Sequence, residues 1–373
     1  MSGPWRQNTI LVRKGNRALE NFKSFITEEE KDEPYKLLIL SHDDPLDPNE
    51  TGPMVRKKAS ELGIEVYLAE FSGMYMEDKG KDQLVYSFPV DEEGKAELPG
   101  MKDDVEYDKP FRINPENTLI MARGIGSTVK TGNLSWRVAC LNLESQGYTL
   151  INPIECHDIC NDKWHNQIIF QRENIRTPNT VLVRHSEGAE EATERLGDKF
   201  PMILKTAVGS RGVGVIWVES LKSLHSIIQL LHREDEFVDI LLQEYIKTDY
   251  DVRVIVAAGK ILGAIKRPVV GDDFRSNVSQ GSEPEMHELT EMEAEQSIRA
   301  AESVSGQVVG VDFIPAKDRD KESPYFIEVN STPGLMGIEA VLSKSAAKPL
   351  IKSENRSITK EILQLYMNRN NWS

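Results

Sequence analysis

Apolar residues in this chain come in short runs separated by polar, turn-forming segments, and the runs change character along its length. Residues 35–40 (YKLLIL) form an apolar run stopped by SHDDPLDPNETGP, the pattern of a buried strand leading into a polar loop. A helical stretch at 55–62, a stop at Gly63 and a strand at 64–69 (IEVYLA) complete a β-α-β unit. Residues 118–122 (TLIMA) predict another buried strand, followed by the glycine-containing loop RGIGSTVKTGN. A helix is predicted over 134–146 and a strand over 148–151, while the polar, turn-rich stretch 78–110 is expected to form a hairpin or an excursion. These elements predict a small α/β domain with a largely parallel sheet.

Past residue 150 the pattern predicts a helix over 162–173, with Asn161 or Asp162 as its cap. Strands at 180–184 and 202–206 flank a charged helix at 187–196. A strand rich in β-branched residues follows at 213–219, despite Gly214 near its start, and then an amphipathic helix at 221–231. Five further strands are predicted at 240–246, 252–258, 260–268, 308–315 and 325–330, with Ala-Ala-Gly-Lys at 257–260 as a hairpin turn. Strands in hairpin succession imply an antiparallel sheet with helices on one side, an α+β arrangement. Ile358, Ile362 and Leu365 stand at helical spacing in the tail, which is expected to dock on the body. There is no internal repeat and no low-complexity tract.

The 373 residues are 39% hydrophobic and 28% charged, which fits a globular enzyme of two or three domains. Forty-five Lys and Arg against 60 Asp and Glu leave a formal charge of −15. Such a surface repels phosphate backbones, so nucleic acid is a poor candidate for the main partner, and it would attract a basic protein or peptide without naming one. No apolar run has the length of a bilayer span, the N-terminus lacks a secretory pattern, and three cysteines do not make a disulfide framework. A cytoplasmic location without membrane association is expected.

Three clusters carry candidate chemistry. In the first, a strand delivers Lys205 and a glycine loop follows, Gly209-Ser210-Arg211-Gly212-Val213-Gly214. Glycines let backbone N–H groups approach phosphate oxygens, and the lysine adds a point charge on a fixed strand. The order excludes a Walker loop, where lysine follows the glycines; a glycine-rich β-hairpin fits the same residues. In the second cluster, Glu328 and Asn330 are two apart on a predicted strand, so they share a face, and Asp312 lies on the preceding strand. Two carboxylates and an amide oxygen make a hard-oxygen site suited to Mg²⁺, although a solvated polar sheet face has the same appearance. The third is the loop DDFRSN, in which Arg275 and Asn277 could stabilise charge on a transferring phosphoryl group, unless it is an exposed loop with a local Asp–Arg pair. Cys156-His157-Asp158-Ile159-Cys160 lacks the second cluster of a zinc site, and packing at a helix start is the expected role. Trp136, Trp164 and Trp217 are scattered and are expected to pack in the core or the cleft.

Taken in order, the strand lysine, the glycine loop, QEYI, D-x-R, DFRSN, VDF and EVNSTPGLMGIE resemble the ATP-grasp superfamily and its RimK-type branch, over about 120–342. The resemblance implies an N-terminal α/β domain with a largely parallel sheet at 1–155, followed by a two-subdomain ATP-grasp fold. Its small subdomain with the glycine loop would span 156–242, its large subdomain with the metal site 243–350, and a C-terminal helix 351–373. It implies ATP and Mg²⁺ as cofactors, with Mn²⁺ as a substitute. Lys163 and Lys205 would contact the phosphates beneath the loop from Gly209 to Gly214. Gln243, Glu244, Tyr245 and Ile246 would form the strand whose backbone reads the adenine edge, and Asp251 would lie near the ribose. Arg275, Ser276 and Asn277 would line the phosphates and the acyl-phosphate centre, with Arg275, Asn277 and Lys205 as catalytic groups. Asp312, Glu328 and Asn330 would hold one or two metal ions, and Arg123 and Gly124 match the family's substrate-facing loop. Three features depart from the pattern: a long first hundred residues, an extended connection between Asp312 and Glu328, and a short spacing between Glu244 and Asp251.

The implied reaction is ligation of a carboxylate to an amine through an acyl phosphate, with glutamate as the favoured amino acid, a protein or peptide terminus as acceptor and a homo-oligomer as the expected assembly. Rival readings are a ligase that makes a small peptide or tailors a metabolite, a kinase on the same grip, and a nucleotide-binding regulator without turnover.

Overall fold

The computed structural model describes residues 36–41, 51–70, 74–75, 83–85, 111–123, 135–208, 214–234, 238–269, 283–344 and 356–367. The chain forms two compact units: one of residues 1–123, 135–153 and 363–373, the other of 124–134 and 154–362.

In the first unit the apolar runs become a four-stranded parallel sheet. Its strands are β1 (Lys36–Ser41), β2 (Glu65–Glu70), β6 (Thr118–Arg123) and β7 (Thr149–Ile151), in the order β2-β1-β6-β7. Leu37 to Leu40 are all buried, as expected of a parallel strand covered on both faces. Helix α1 (Thr51–Ser60) buries Val55 and Ala59 one turn apart, and α2 (Ser135–Ser145) buries Ala139, Cys140 and Leu143. The segment between β2 and β6 includes a small antiparallel sheet of β3 (Met74–Tyr75), β4 (Gln83–Val85) and β5 (Phe111–Ile113). Most of the predicted 78–110 excursion lies outside the described residues, as does the loop after Arg123.

The second unit opens with α3 (Ile154–Asn161), which the pattern did not predict, and α4 (Lys163–Arg172). Asp162 caps α4, accepting from the backbone N–H groups of Trp164 at 2.8 Å and His165 at 3.1 Å. A four-stranded antiparallel sheet follows, in the order β10-β9-β11-β8: β8 (Thr180–Val183), β9 (Met202–Thr206), β10 (Val215–Val218) and β11 (Ile240–Glu244). Helices α5 (Ala189–Arg195) and α6 (Leu221–Glu234) cover one face, where Ala192, Leu224 and Ile228 pack on Met202, Leu204, Ile240 and Leu242. Alternation then leaves Lys205 and Gln243 on the other face.

A five-stranded antiparallel sheet follows, in the order β14-β13-β12-β15-β16: β12 (Tyr250–Ala257), β13 (Lys260–Pro268), β14 (Glu285–Met286), β15 (Val308–Ile314) and β16 (Tyr325–Asn330). The β12–β13 connection is the predicted two-residue turn: Ala258 and Gly259 both have positive φ, 48° and 70°, as a turn matched to strand twist requires. Val252, Val254, Val309, Val311, Phe313, Phe326 and Val329 form a buried face. It packs with Ala300, Ala301 and Val304 at the end of α7 (Glu291–Ser303) and with Ile169 and Phe170 of α4. Helix α7 begins with a capping box between Thr290 and Glu293, a T-x-x-E signal legible in the sequence and not read there. The long β15–β16 connection is pinned near both ends: Arg319 pairs with Glu293, and Arg176 donates to the Ser323 carbonyl at 2.8 Å. Helices α8 (Met336–Lys344) and α9 (Ile358–Met367) complete the fold, and α9 buries Ile358, Ile362, Leu363 and Tyr366. No helix among the described residues is long and apolar enough to cross a membrane.

Candidate active site

Lys205 stands on the face of its sheet opposite α5 and α6, partly buried, and donates to Gln243 Oε1 at 2.8 Å. Gln243 Nε2 donates in turn to Thr180 Oγ1 at 2.7 Å, and Thr180 donates to the Pro178 carbonyl at 2.9 Å. This chain of bonds fixes which end of the Gln243 amide meets the ammonium. Burial lowers the Lys205 pKa from 10.5 to about 8; the carboxylate of Glu328 opposes that shift and the charge of Lys163 adds to it. Lys163 opens α4, where its backbone N–H donates to the Ala207 carbonyl at 2.9 Å. Its pKa is also lowered by burial, against the pull of Glu328 and Asp162. Two lysines far apart in sequence and the carboxylate of the next sheet therefore share one electrostatic neighbourhood.

Of the glycine loop, Gly214 is described; Gly209, Ser210, Arg211 and Gly212 lie outside the described residues. Gly214 has φ 80°, its carbonyl accepts from Thr206 N at 3.1 Å, and a Cβ there would stand 2.5 Å from Thr206 Oγ1. Only glycine fits both the dihedral and the space.

On the second sheet, Asp312 pairs directly across from Glu328, and Asn330 follows two residues along the same face. The register shifts after Asp312, so that Phe313 pairs with Phe326 and Ile327 is the extra residue of a β-bulge. Without the bulge, alternation would place Phe326 on the face of Glu328. With it, Phe326 is fully buried in the core and Glu328 is turned to the polar side, where its Oε1 accepts from Asn330 Nδ2 at 3.2 Å.

Asp312 carries more than the sequence reading assigned it. Arg253 meets both of its oxygens at 2.7 and 2.6 Å, and Arg267 reaches Oδ2 at 3.0 Å. Burial works to raise the Asp312 pKa, but Arg253 and Arg267 hold it below the ordinary aspartate value. The same Arg267, 2% exposed, also grips Asp251, with Nε 2.7 Å from Oδ1. Asp251, expected near a ribose, lies opposite Arg267 in the sheet, with both carboxylate oxygens engaged by that guanidinium. Arg253 and Arg267 themselves were not picked out as site residues. Their signal was available, since Asp251 and Arg253 are two apart on a strand and must share a face.

The adenine-strand residues divide. The side chain of Gln243 is buried and turned to Lys205. Glu244 ends its strand and its carboxylate accepts from Asn179 N at 2.7 Å. Tyr245 packs edge-on against Trp217 with ring centroids 4.8 Å apart, and Ile246 lies past the strand end. Arg275, Ser276, Asn277 and Gly124 lie outside the described residues; Arg123 ends β6, buried. The Cys156–Cys160 segment forms α3, with Cys156 buried and the two sulfurs 3.9 Å apart. No group of three or more His, Cys, Asp or Glu able to hold a metal occurs among the described residues. A site here would therefore depend on the Asn330 amide beside Glu328 and Asp312. That donor set fits Mg²⁺: all oxygen, partly desolvated, and backed by fixed charges.

A lysine-bearing antiparallel sheet with a glycine loop, followed by a second antiparallel sheet with an acid–amide edge, is the build of an ATP-grasp fold. The solved structure of the ATP-grasp ligase PsnB with a minimal precursor shares it, with a TM-score of 0.59, 16% identity, and coverage of 90% of this chain and 99% of that one. Residues 160–353 match the family described as the RimK-like ATP-grasp domain. A protein of Rhodopirellula baltica named probable alpha-L-glutamate ligase is 35% identical over 192 residues, 51% of this chain and 46% of that protein. Probable alpha-L-glutamate ligase 2 of Pseudoalteromonas atlantica is 31% identical over 211 residues, 56% of this chain and 68% of that protein. The chain thus spans about half of the first relative and two thirds of the second. It belongs to the RimK-like ATP-grasp family.

Proposed function

We propose that this protein is an ATP- and Mg²⁺-dependent ligase that joins the amine of an amino acid, glutamate in the first instance, to the carboxylate of a protein or peptide. The observation that carries the reading is the shared neighbourhood of Lys163, Lys205 and Glu328, because a helix-start lysine, a strand lysine and a metal-binding edge on the next sheet are what a triphosphate needs. Residues 156–242 are read as the subdomain that covers the nucleotide and 243–350 as the one that holds the metal. Family membership and the names of the two relatives support glutamate.

In this reading, a substrate carboxylate oxygen bonds to the γ-phosphorus as the bond to ADP breaks. An amine then attacks the acyl carbon, phosphate leaves with the acyl–oxygen electron pair, and the amine gives up a proton. Lys205 and Lys163 hold the phosphate oxygens and offset their charge; Gln243 keeps the Lys205 ammonium aimed. Glu328, Asn330 and Asp312 would hold Mg²⁺, which supplies Lewis-acid neutralisation of the phosphates. Arg253 and Arg267 keep Asp312 ionised and oriented. Arg275 and Asn277 are assigned by resemblance to the acyl-phosphate centre.

The test is phosphate release by purified protein with ATP and Mg²⁺ across the common amino acids, with and without a peptide acceptor, and mass spectrometry of every reaction. Glutamate-dependent release of phosphate with an amide-linked product supports the proposal. A stable phosphorylated product without released phosphate would replace it with the kinase, and a free dipeptide or modified metabolite would move the acceptor to a small molecule.

A further inference from the structure

His157 lies on α3, a helix with no part in the roles assigned above. Its side chain is 1% exposed, and Nδ1 sits 2.9 Å from the hydroxyl of Ser331, the residue directly after Asn330. Ser331 is itself buried. From the next helix, the side chain of Asn166, also buried, donates Nδ2 to the Val329 carbonyl at 3.5 Å. Two buried polar side chains on consecutive helices thus reach the same three-residue stretch, 329–331. Burying an imidazole and an amide costs free energy unless they are hydrogen-bonded, so packing alone would favour apolar residues here.

The stretch they hold is where the site needs support. The strand ladder ends at the pairing of Gly310 with Asn330, so Ser331 lies just past the last ladder pair with β15. Val329 and Ser331 flank Asn330, so what grips them bears on the aim of the Asn330 amide and of Glu328 bonded to it. Helix α4 also begins at Lys163, so one helix pair links a phosphate-facing lysine to the carboxylate-bearing strand.

We propose that His157 is a positioning residue for the metal-binding end of β16, acting through Ser331 to hold Asn330 and Glu328 at the spacing a divalent ion requires. Asn166 assists from α4. This rests on the assignment of Glu328 and Asn330 as metal ligands. Groups that orient metal ligands from behind are worth about 10–100-fold in affinity.

The experiment is Mn²⁺ titration of the full-length protein in the presence of ADP, followed by the electron paramagnetic resonance of free Mn²⁺. Wild type, His157→Ala, His157→Asn, Ser331→Ala and the His157→Ala/Ser331→Ala double variant are compared, with a thermal melt of each. His157→Ala and Ser331→Ala should each weaken Mn²⁺ binding by about tenfold or more. The double variant should be no worse than either single one, because both remove the same bond. Asparagine carries an amide near the position of Nδ1, so His157→Asn should recover most of the affinity. Wild-type Mn²⁺ affinity in folded His157→Ala, or losses that simply add in the double variant, would overturn the proposal. Should His157→Ala fail to fold, Ser331→Ala and His157→Asn decide it on the same terms. Glu328→Ala in the same titration separates the levels: unchanged affinity there removes the ligand assignment itself, whereas loss there with wild-type affinity in His157→Ala removes only the positioning role.

Discussion

The sheet that carries Lys205 and the sheet that carries Glu328 each bury one face in a hydrophobic core with helices, yet they treat charge in opposite ways. On the first, Lys205 rests against a neutral amide, and burial brings its pKa down to about 8. On the second, Arg267 bridges Asp251 and Asp312, and Arg253 grips Asp312 from its other side. A cation held by a neutral partner is destabilised until an anion arrives, so it suits a group that must bind substrate. Charges neutralised within the fold contribute little to a substrate, but they fix the geometry of what lies beside them. On the proposed function, the difference separates a lysine that would bind substrate from arginines that hold a metal-site carboxylate.

The contrast can be broken most sharply at its metal-facing edge. Glu328→Ala and Asn330→Ala should each abolish measurable phosphate release while leaving the melting temperature near that of wild type. Full activity in either with Mg²⁺ present would remove the metal assignment. Arg267→Met should act the other way round, removing the guanidinium that bridges Asp251 and buried Asp312 and costing about 3 kcal/mol of stability by urea unfolding. A loss below about 1 kcal/mol would show that the network is not structural.

Lys205→Met sharpens the same contrast, since it should reduce activity without lowering stability. Its pH behaviour has a definite sign. The folded pKa of about 8 lies below the ordinary 10.5, so the unfolded chain binds more protons between those values. The cost of burying the ammonium is therefore fully present below pH 8 and fades toward pH 10.5. Free protein should gain stability across that window, while the KM for ATP rises as the charge is lost. Lys205→Met should lack the stability gain, and an identical slope in wild type and variant would reassign the titration. The smallest effect is expected at Gln243→Leu, which removes one hydrogen bond to Lys205 and should raise the KM for ATP about fivefold, equivalent to about 1 kcal/mol. Wild-type kinetics in that variant would show that the ammonium needs no support.

Much of this molecule was legible before its structure, and for definite reasons. The strands at Met202–Thr206, Lys260–Pro268 and Tyr325–Asn330 were read with their observed bounds, because period-two patterning and flanking turns are local signals. The hairpin at Ala258 and Gly259 and the cap in front of α4 were local as well. Helices α3 and α8 were missed, and α7 was missed although Thr290 and Glu293 spelled its start.

Sequence alone therefore determined which residue types the site contains, their order, and the shared face of Glu328 and Asn330, since each depends on near neighbours in the chain. Tertiary structure decided the rest. The bulge at Ile327 sends Phe326 to the core and Glu328 to the site, against strict alternation, because the fit to β15 and the buried core outweighs strand regularity. The engagement of Asp251 by Arg267 and of Lys205 by Gln243, and the reach of His157 to Ser331, join residues from 16 to 174 positions apart. Hydrogen-bond partners at such separations are set by which strands and helices become neighbours, and no local pattern in the chain carries that information.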